Sequence, residues 1–160
     1  MKTKTVLFGT VAIPVCVLDF WSKKWALTTL GSGPITDFMG GYVPLTLAFN
    51  KGAAFGISIG DDSRWLFIPL SVFALGLLLH ILYQCEERDF LRILACSFVI
   101  AGALGNLYDR IRWSRGVVDF IGPVDLGFML WPIFNMADMA ISCGAFLLAI
   151  SFWNEEEDPD

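Results

Sequence analysis

Four stretches of this chain stay apolar for about the thickness of a bilayer's hydrocarbon core, and nothing else in the sequence limits the fold as tightly. They are Thr5–Trp21, running on toward Leu30; Trp65–Tyr83; Ile93–Tyr108, longer if it begins near Phe90; and Leu126–Trp153. A membrane-spanning helix needs about 20 mostly apolar residues. Only 17% of the 160 residues are charged and 56% are hydrophobic, whereas a soluble domain carries about 25% charge. The expected fold is all-α and integral to the membrane. A single domain covers residues 1–160, with spans near 5–24, 65–83, 90–108 and 131–153.

Lys2 and Lys4 precede the first apolar run, as in a signal peptide. No good small-x-small cleavage site follows, and the run leads instead into Asp19-Phe-Trp-Ser-Lys-Lys, so it reads as a retained span. Cys16, Cys96 and Cys143 fall inside spans and Cys85 at the edge of one. No Cys-x-x-Cys spacing occurs, which argues against a zinc, redox or disulfide framework. His80 has no ligand-spaced partner and reads as structural. The acidic tail from Glu155 to Asp160 supplies much of the net charge of −5 and reads as a solvated terminus. No basic tract points to nucleic acid.

An even number of spans puts both termini on one side of the membrane. Lys2, Lys4, Arg88 and Arg92 fall on that side. Lys23, Lys24, Lys51, Arg64, Arg110, Arg112 and Arg115 fall on the other. By charge count alone the termini would be outside.

The long segment between the first two spans is punctuated by glycine and proline. In it Val43, Leu45, Leu47 and Phe49 alternate with smaller or more polar residues. The alternation resumes at Phe55, Ile57 and Ile59 after Asn50-Lys51-Gly52. Period-two patterning around such a turn predicts a β-hairpin or small sheet between helices 1 and 2.

Aspartates occur where they are costly. Asp138 is the only charged residue between Leu126 and Trp153, and Asp119 lies just before that run. A carboxylate at bilayer depth costs about 2.5–3.5 kcal/mol or more, so such an acid suggests a functional site. Asn106 and Asp109 are spaced to share a helix face, as are Asn135 and Asp138. Two close carboxylates can share a proton; one then activates water while the other polarises a carbonyl. Asp109 is an alternative partner for Asp138, but Arg110 and Arg112 suit it better to a structural ion pair or helix-end contact. Spacing alone leaves the partner open. A proton relay or small transporter using Asp138 and Asp19 also fits isolated intramembrane acids, as does an assembly subunit whose Asn and Asp residues bind partner helices. Ala101 with Gly105, and Ala140 with Gly144, read as ordinary close helix packing. No His-Glu-x-x-His or Gly-x-Ser-x-Gly motif is present, and no lysine lies deep in a span.

Five blocks, in order along the chain, resemble those of the bacterial lipoprotein signal peptidases (signal peptidase II). They are Asp19-Phe-Trp-Ser-Lys23, Asn50-Lys-Gly-Ala-Ala-Phe-Gly56, Gly102-Ala-Leu-Gly-Asn-Leu-Tyr-Asp-Arg110, Val117-Val-Asp-Phe-Ile121 and Phe134-Asn-Met-Ala-Asp138. Phe20 replaces a common Gln, and Ala101 a common Gly; neither touches the acids. The resemblance implies an aspartic endopeptidase with Asp119 and Asp138 as catalytic pair. Asn50, Gly52, Asn106, Asp109, Arg110 and Asn135 would support the site or substrate, and Asp19 and Lys23 the structure. The implied reaction removes the signal peptide from diacylglyceryl-modified prolipoproteins, just before the lipidated cysteine. It implies no metal or organic cofactor, and partners limited to substrate and membrane lipid, with the chain a monomer. The implied location is the bacterial inner membrane, with both termini cytoplasmic and the acids near the outer leaflet, opposite to the charge count.

Overall fold

A computed structural model describes residues 3–36, 38–52 and 63–157. In chain order they form α1 (Thr3–Thr29), two short 3-10 turns (Leu30–Ser32 and Phe38–Gly41), β1 (Leu45–Asn50) and α2 (Arg64–Gln84). There follow α3 (Phe90–Arg112), β2 (Val117–Ile121), β3 (Val124–Asp125), β4 (Leu130–Trp131) and α4 (Met136–Glu157). All four α-helices are long and apolar enough to cross a membrane. The helical membrane architecture with a small sheet, expected from the sequence, is the one found.

The helix α3 is central and touches the other three. It buries Ile93, Cys96, Ser97, Ile100 and Ala101, whereas α2 buries only Leu75. Outward-facing Leu70, Phe73 and Leu77 on α2 are exposed, as suits a helix solvated by lipid. The α3–α4 seam is made of small residues. A Cβ on Gly102 would run into the carbonyl oxygen of Ala137, and one on Gly144 would lie 2.6 Å from Val99 Cγ2 and 2.9 Å from Phe98 Cβ. The glycine of the Ala140–Gly144 pair therefore sits directly against α3. Gly144→Leu is expected to lower thermal stability in detergent by about 1–3 kcal/mol or more, the usual cost of overpacking. A thermal melt unchanged from wild type would show that the seam tolerates a side chain.

The two ends of the bundle differ. At one end Lys4 Nζ donates to the carbonyls of Tyr83 and Cys85 at 2.9 and 2.8 Å, tying α1 to the α2–α3 turn. At the other end β1 pairs antiparallel with β2, with Ala48 opposite Asp119, Asn50 opposite Val117 and an irregularity between Leu45 and Ala48. The strand expected around Phe49 is thus present, and its described partner comes from beyond α3. The second arm expected at 55–59 lies outside the described residues. Leu45 and Phe120 join Ala26 and Leu30 in a small apolar cluster that seats the sheet on the end of α1.

The fourth apolar run is not one helix. Its first part carries β4, which pairs with β3 just ahead of the run, Val124 to Trp131 and Asp125 to Leu130. Pro132 disfavours a helical residue before it, and α4 starts only at Met136. Asp138 accordingly lies in the first turn of α4, at the end of the bundle beside the sheet, and not in mid-span.

Candidate active site

Three backbone hydrogen bonds join β2 to Phe134, two residues before α4. Phe134 donates to Ile121 O at 3.0 Å, while Phe120 and Ile121 donate to Phe134 O at 3.0 and 2.9 Å. Asn135 follows immediately and caps the helix. Its Oδ1 accepts the N–H of Asp138 at 2.9 Å, and Asp138 Oδ2 accepts the N–H of Asn135 at 3.1 Å. This reciprocal capping box satisfies N–H groups that a helix start leaves unpaired. Asn135 and Asp138 meet as cap and first turn, not as two positions on one helix face.

The same Asn135 side chain reaches back to β2. Its Nδ2 lies 2.6 Å from Asp119 Oδ1, with Asn106 Oδ1 at 3.2 Å and Val118 O at 3.3 Å. Asn106, on α3, donates from Nδ2 to Asp138 Oδ1 at 2.7 Å. Asp119, Asp138, Asn106 and Asn135 therefore form one network built from three segments. The side chain of Asn50, on β1, also hydrogen-bonds Asp119.

A second layer lies beneath. Lys23 Nζ is 2.8 Å from Asp19 Oδ2 and 2.9 Å from Asp109 Oδ2, all three side chains being buried. It also donates to Asn106 Oδ1 at 3.1 Å. An ammonium only donates, so Lys23 turns the Asn106 carbonyl toward itself and the amide N–H groups toward Asp138. Asp19 Oδ1 accepts the N–H of Ala137 at 3.0 Å, and Asp109 Oδ2 that of Val118 at 3.2 Å. These bonds fix the start of α4 and the strand carrying Asp119. The partner of Asp109 is thus Lys23 and not the neighbouring arginines. Arg110 and Arg112 leave α3 in other directions, toward Phe67 and toward Tyr108 and Trp113. The resemblance marked Asp19 and Lys23 as structural but gave no sign of the link through Asn106.

The two carboxyls of the upper layer are unlike. Asp119 is 2% exposed, and its pKa is pushed up to about 7, first by burial and then by the negative charge of Asp138. Hydrogen bonds from Asn135 and Asn50 and the charge of Lys23 oppose that rise. Asp138 is partly exposed, accepts two N–H bonds and sits at a helix N-terminus, where negative charge is favoured. Burial and the neighbouring Asp138 thus favour the protonated form of Asp119.

Arg110 borders this pair. Its Nη1 approaches Asn106 O at 3.4 Å and its guanidinium lies 5.4 Å from the centre of the Phe67 ring. Its buried Nε has no hydrogen-bond partner among the described residues. Nothing in an apolar helix would have singled out Phe67. The same ring meets Gly52, where φ is +98° and a Cβ would collide with it. Gly52 N–H donates to Asn50 Oδ1 at 2.7 Å, so turn and asparagine hold each other. Among the described residues no group of three His, Cys, Asp or Glu side chains is placed to hold a metal ion.

Residues 11–154 match the family described as Signal peptidase (SPase) II. This chain belongs to the signal peptidase II family. Lipoprotein signal peptidases of Streptococcus pyogenes are similar to it over nearly their whole length. That of serotype M2 (strain MGAS10270) is 36% identical over 96% of this chain and 97% of its own. That of serotype M6 (strain ATCC BAA-946 / MGAS10394) is 35% identical over 98% and 99%. Two bacterial membrane enzymes solved by the in meso method share the fold. One, at 2.3 Å resolution, has a TM-score of 0.78 and 27% identity over 96% of this chain and 91% of that one. The other, at 1.9 Å, has a TM-score of 0.76 and 30% identity over 91% of both. As a member of the signal peptidase II family, the protein is a membrane-embedded aspartic peptidase.

Proposed function

We propose that Asp119 and Asp138 are the catalytic pair with which this enzyme removes signal peptides from diacylglyceryl-modified prolipoproteins, cutting just before the lipidated cysteine. The observation that carries this reading is Asn135, which bonds one carboxyl through its side chain and the other through its backbone. Asp138, as carboxylate, takes a proton from water, and the water oxygen attacks the scissile carbonyl. Asp119, as acid, gives its proton to the carbonyl oxygen where negative charge develops. When the tetrahedral intermediate collapses the C–N bond breaks, Asp138 passes its proton to the leaving amine and Asp119 recovers its own. Arg110, Asn106 and Asn50 orient these groups, and the unpaired Arg110 Nε offers a donor to substrate. A recess of about 370 Å³ between α2 and α3, lined by Trp65, Ile68, Pro69 and Ile111, opens beside Arg110. It gives an acyl chain a lipid-side approach.

The reading places the protein in the bacterial inner membrane as a monomer, with both termini cytoplasmic and the carboxylates near the extracytoplasmic face. The charge count points the other way, and it includes cations with roles in the fold: Lys23 is held by Asp19 and Asp109, and Arg115 lies over Phe49 and Trp113. A proton relay is disfavoured because Asp19, Asp109, Asp119 and Asp138 gather at one end of the bundle. Among the described residues the rest of the spans carries no carboxylate.

Purified enzyme in lipid is expected to cleave a diacylglyceryl-modified prolipoprotein and to spare the unmodified precursor, read as the mass of the released peptide. Equal cleavage of both would overturn the substrate assignment.

The pH profile tests the proton placement. A carboxyl raised to about 7 keeps its proton below that pH and loses it above. Cleavage should therefore decline on the alkaline side of about 7 as the pair loses its acid. Asn50 holds the pKa of Asp119 down, so Asn50→Ala should move this limb to higher pH and lower kcat by about tenfold. A limb that stays in place or moves toward acid would refute the Asn50–Asp119 coupling.

A further inference from the structure

Among the described residues a second cavity, larger than the recess beside Arg110, lies against α3. It is a cleft of about 570 Å³ between α1 and α3, at the end of the bundle that carries the sheet. Phe20, Leu27, Leu104 and Trp113 supply apolar walls. Two cations, Lys24 and Arg112, stand at its rim, each near the end of a membrane-spanning segment. Neither has an acidic partner among the described residues. Lys24 Nζ lies 5.0 Å from the centre of the Trp21 ring. The guanidinium of Arg112 lies 4.8 Å from that of Trp113, and its Nη1 donates to Tyr108 Oη at 3.0 Å. Aromatic rings thus hold both cations while leaving most of their N–H groups unused.

Three further basic residues described at this end have evident structural work, and Lys51 and Arg64 have partners too. Lys23 neutralises two buried carboxylates, Arg110 borders the carboxyl pair and Arg115 packs on two rings. The floor of the cleft includes Asp19, Lys23 and Asp109, whose ionised forms sum to one negative charge. Two rim cations leave the cleft net positive, so it favours an anion. Its walls belong to lipid-facing helices at the level where Trp and Tyr mark a membrane interface.

We propose that this cleft is a stoichiometric site for an anionic glycerophospholipid, with the headgroup phosphate between Lys24 and Arg112 and an acyl chain along Phe20, Leu27 and Leu104. The site is separate from the catalytic carboxyls and takes a resident lipid, not the substrate. It differs from ordinary interfacial anchoring because the phosphate meets two cations across a cavity that also receives the chain.

Native mass spectrometry of the purified enzyme, titrated with phosphatidylglycerol or with phosphatidylcholine of the same acyl chains, tests this. The expected result is one saturable phosphatidylglycerol adduct, retained at least about tenfold better than the phosphatidylcholine adduct. The double variant Lys24→Ala/Arg112→Ala should lose that preference while still cleaving substrate, which shows that it is folded. Leu104→Trp, which fills a wall and keeps both cations, should also lose the adduct. Equal retention of the two lipids, several non-saturating adducts, an unchanged double variant, or displacement by millimolar inorganic phosphate would overturn the proposal.

Discussion

Asp119→Asn and Asp138→Asn are each expected to lower kcat by about 10³-fold or more, with insertion into the membrane intact. In the proposed mechanism each group moves a proton, and general acid or base action is worth about 10²–10⁴-fold. Because the two act as a unit, the double variant should be scarcely worse than either single one. Stability separates loss of chemistry from loss of fold. In the folded protein the Asp119 carboxyl is raised from 3.8 to about 7. The folded state therefore binds its proton more tightly than the unfolded state does. That stabilisation is complete below the ordinary carboxylate range and is lost as pH rises through about 7. An amide at 119 does not titrate. Asp119→Asn should melt at or above the wild-type temperature at pH 8 while being inactive. Normal processing by either purified single variant would sink the assignment of the pair.

Lys23→Met should have the largest effect on stability. It leaves Asp19 and Asp109 buried without their shared cation. Removing one partner of a buried ion cluster typically costs about 3–5 kcal/mol, which here corresponds to a fall in melting temperature of about 10 °C or more. Activity should fall as well, because Asn106 loses the donor that fixes its amide orientation. Converting Asp19 and Asp109 to Asn in the same chain removes the stranded charges. That triple variant should regain much of the melting temperature while kcat stays low. A single Lys23→Met variant that melts like wild type would show that the cluster adds nothing to the fold.

Much of this could be read from the sequence because apolar length and charge placement are local properties. Trp65–Tyr83 has no charge to dispute its reading as a span, and it lies within α2. The blocks around Asn106, Asp119 and Asn135 marked the residues that the fold gathers, since the chemistry of such a site permits few substitutes. Three things escaped. The start of α4 was hidden because Leu126–Trp131 is as apolar as the helix after it. The available signals, Pro132 and a capping Asn three residues before an acid, were overridden by hydropathy. The partner of β1 was invisible because Val117–Ile121 lies beyond two helices, and Val117–Phe120 are all buried, with no alternation to announce a strand. The choice of Lys23 over Arg110 and Arg112 as the partner of Asp109 depends on how α1 crosses α3, which no local pattern states. The resemblance singled out the pairing of Asp119 with Asp138, where spacing left Asp109 open.

The unequal burial of the helices has a consequence for how the enzyme meets different membranes. A span longer or shorter than its bilayer adjusts by tilting, at a modest cost for each ångström of mismatch. The helix α2 fully buries only Leu75, with Ile68, Leu78, Ile81 and Leu82 partly buried beside it, and so has less packing to lose than α3 when it tilts. The carboxyls ride instead on β2 and α4, which are joined by backbone hydrogen bonds at Phe134 and seated on the crowded α3 seam. A change in bilayer thickness is therefore taken up mainly at α2, which widens or narrows the lipid-side approach. The spacing of the two acids is insulated from it.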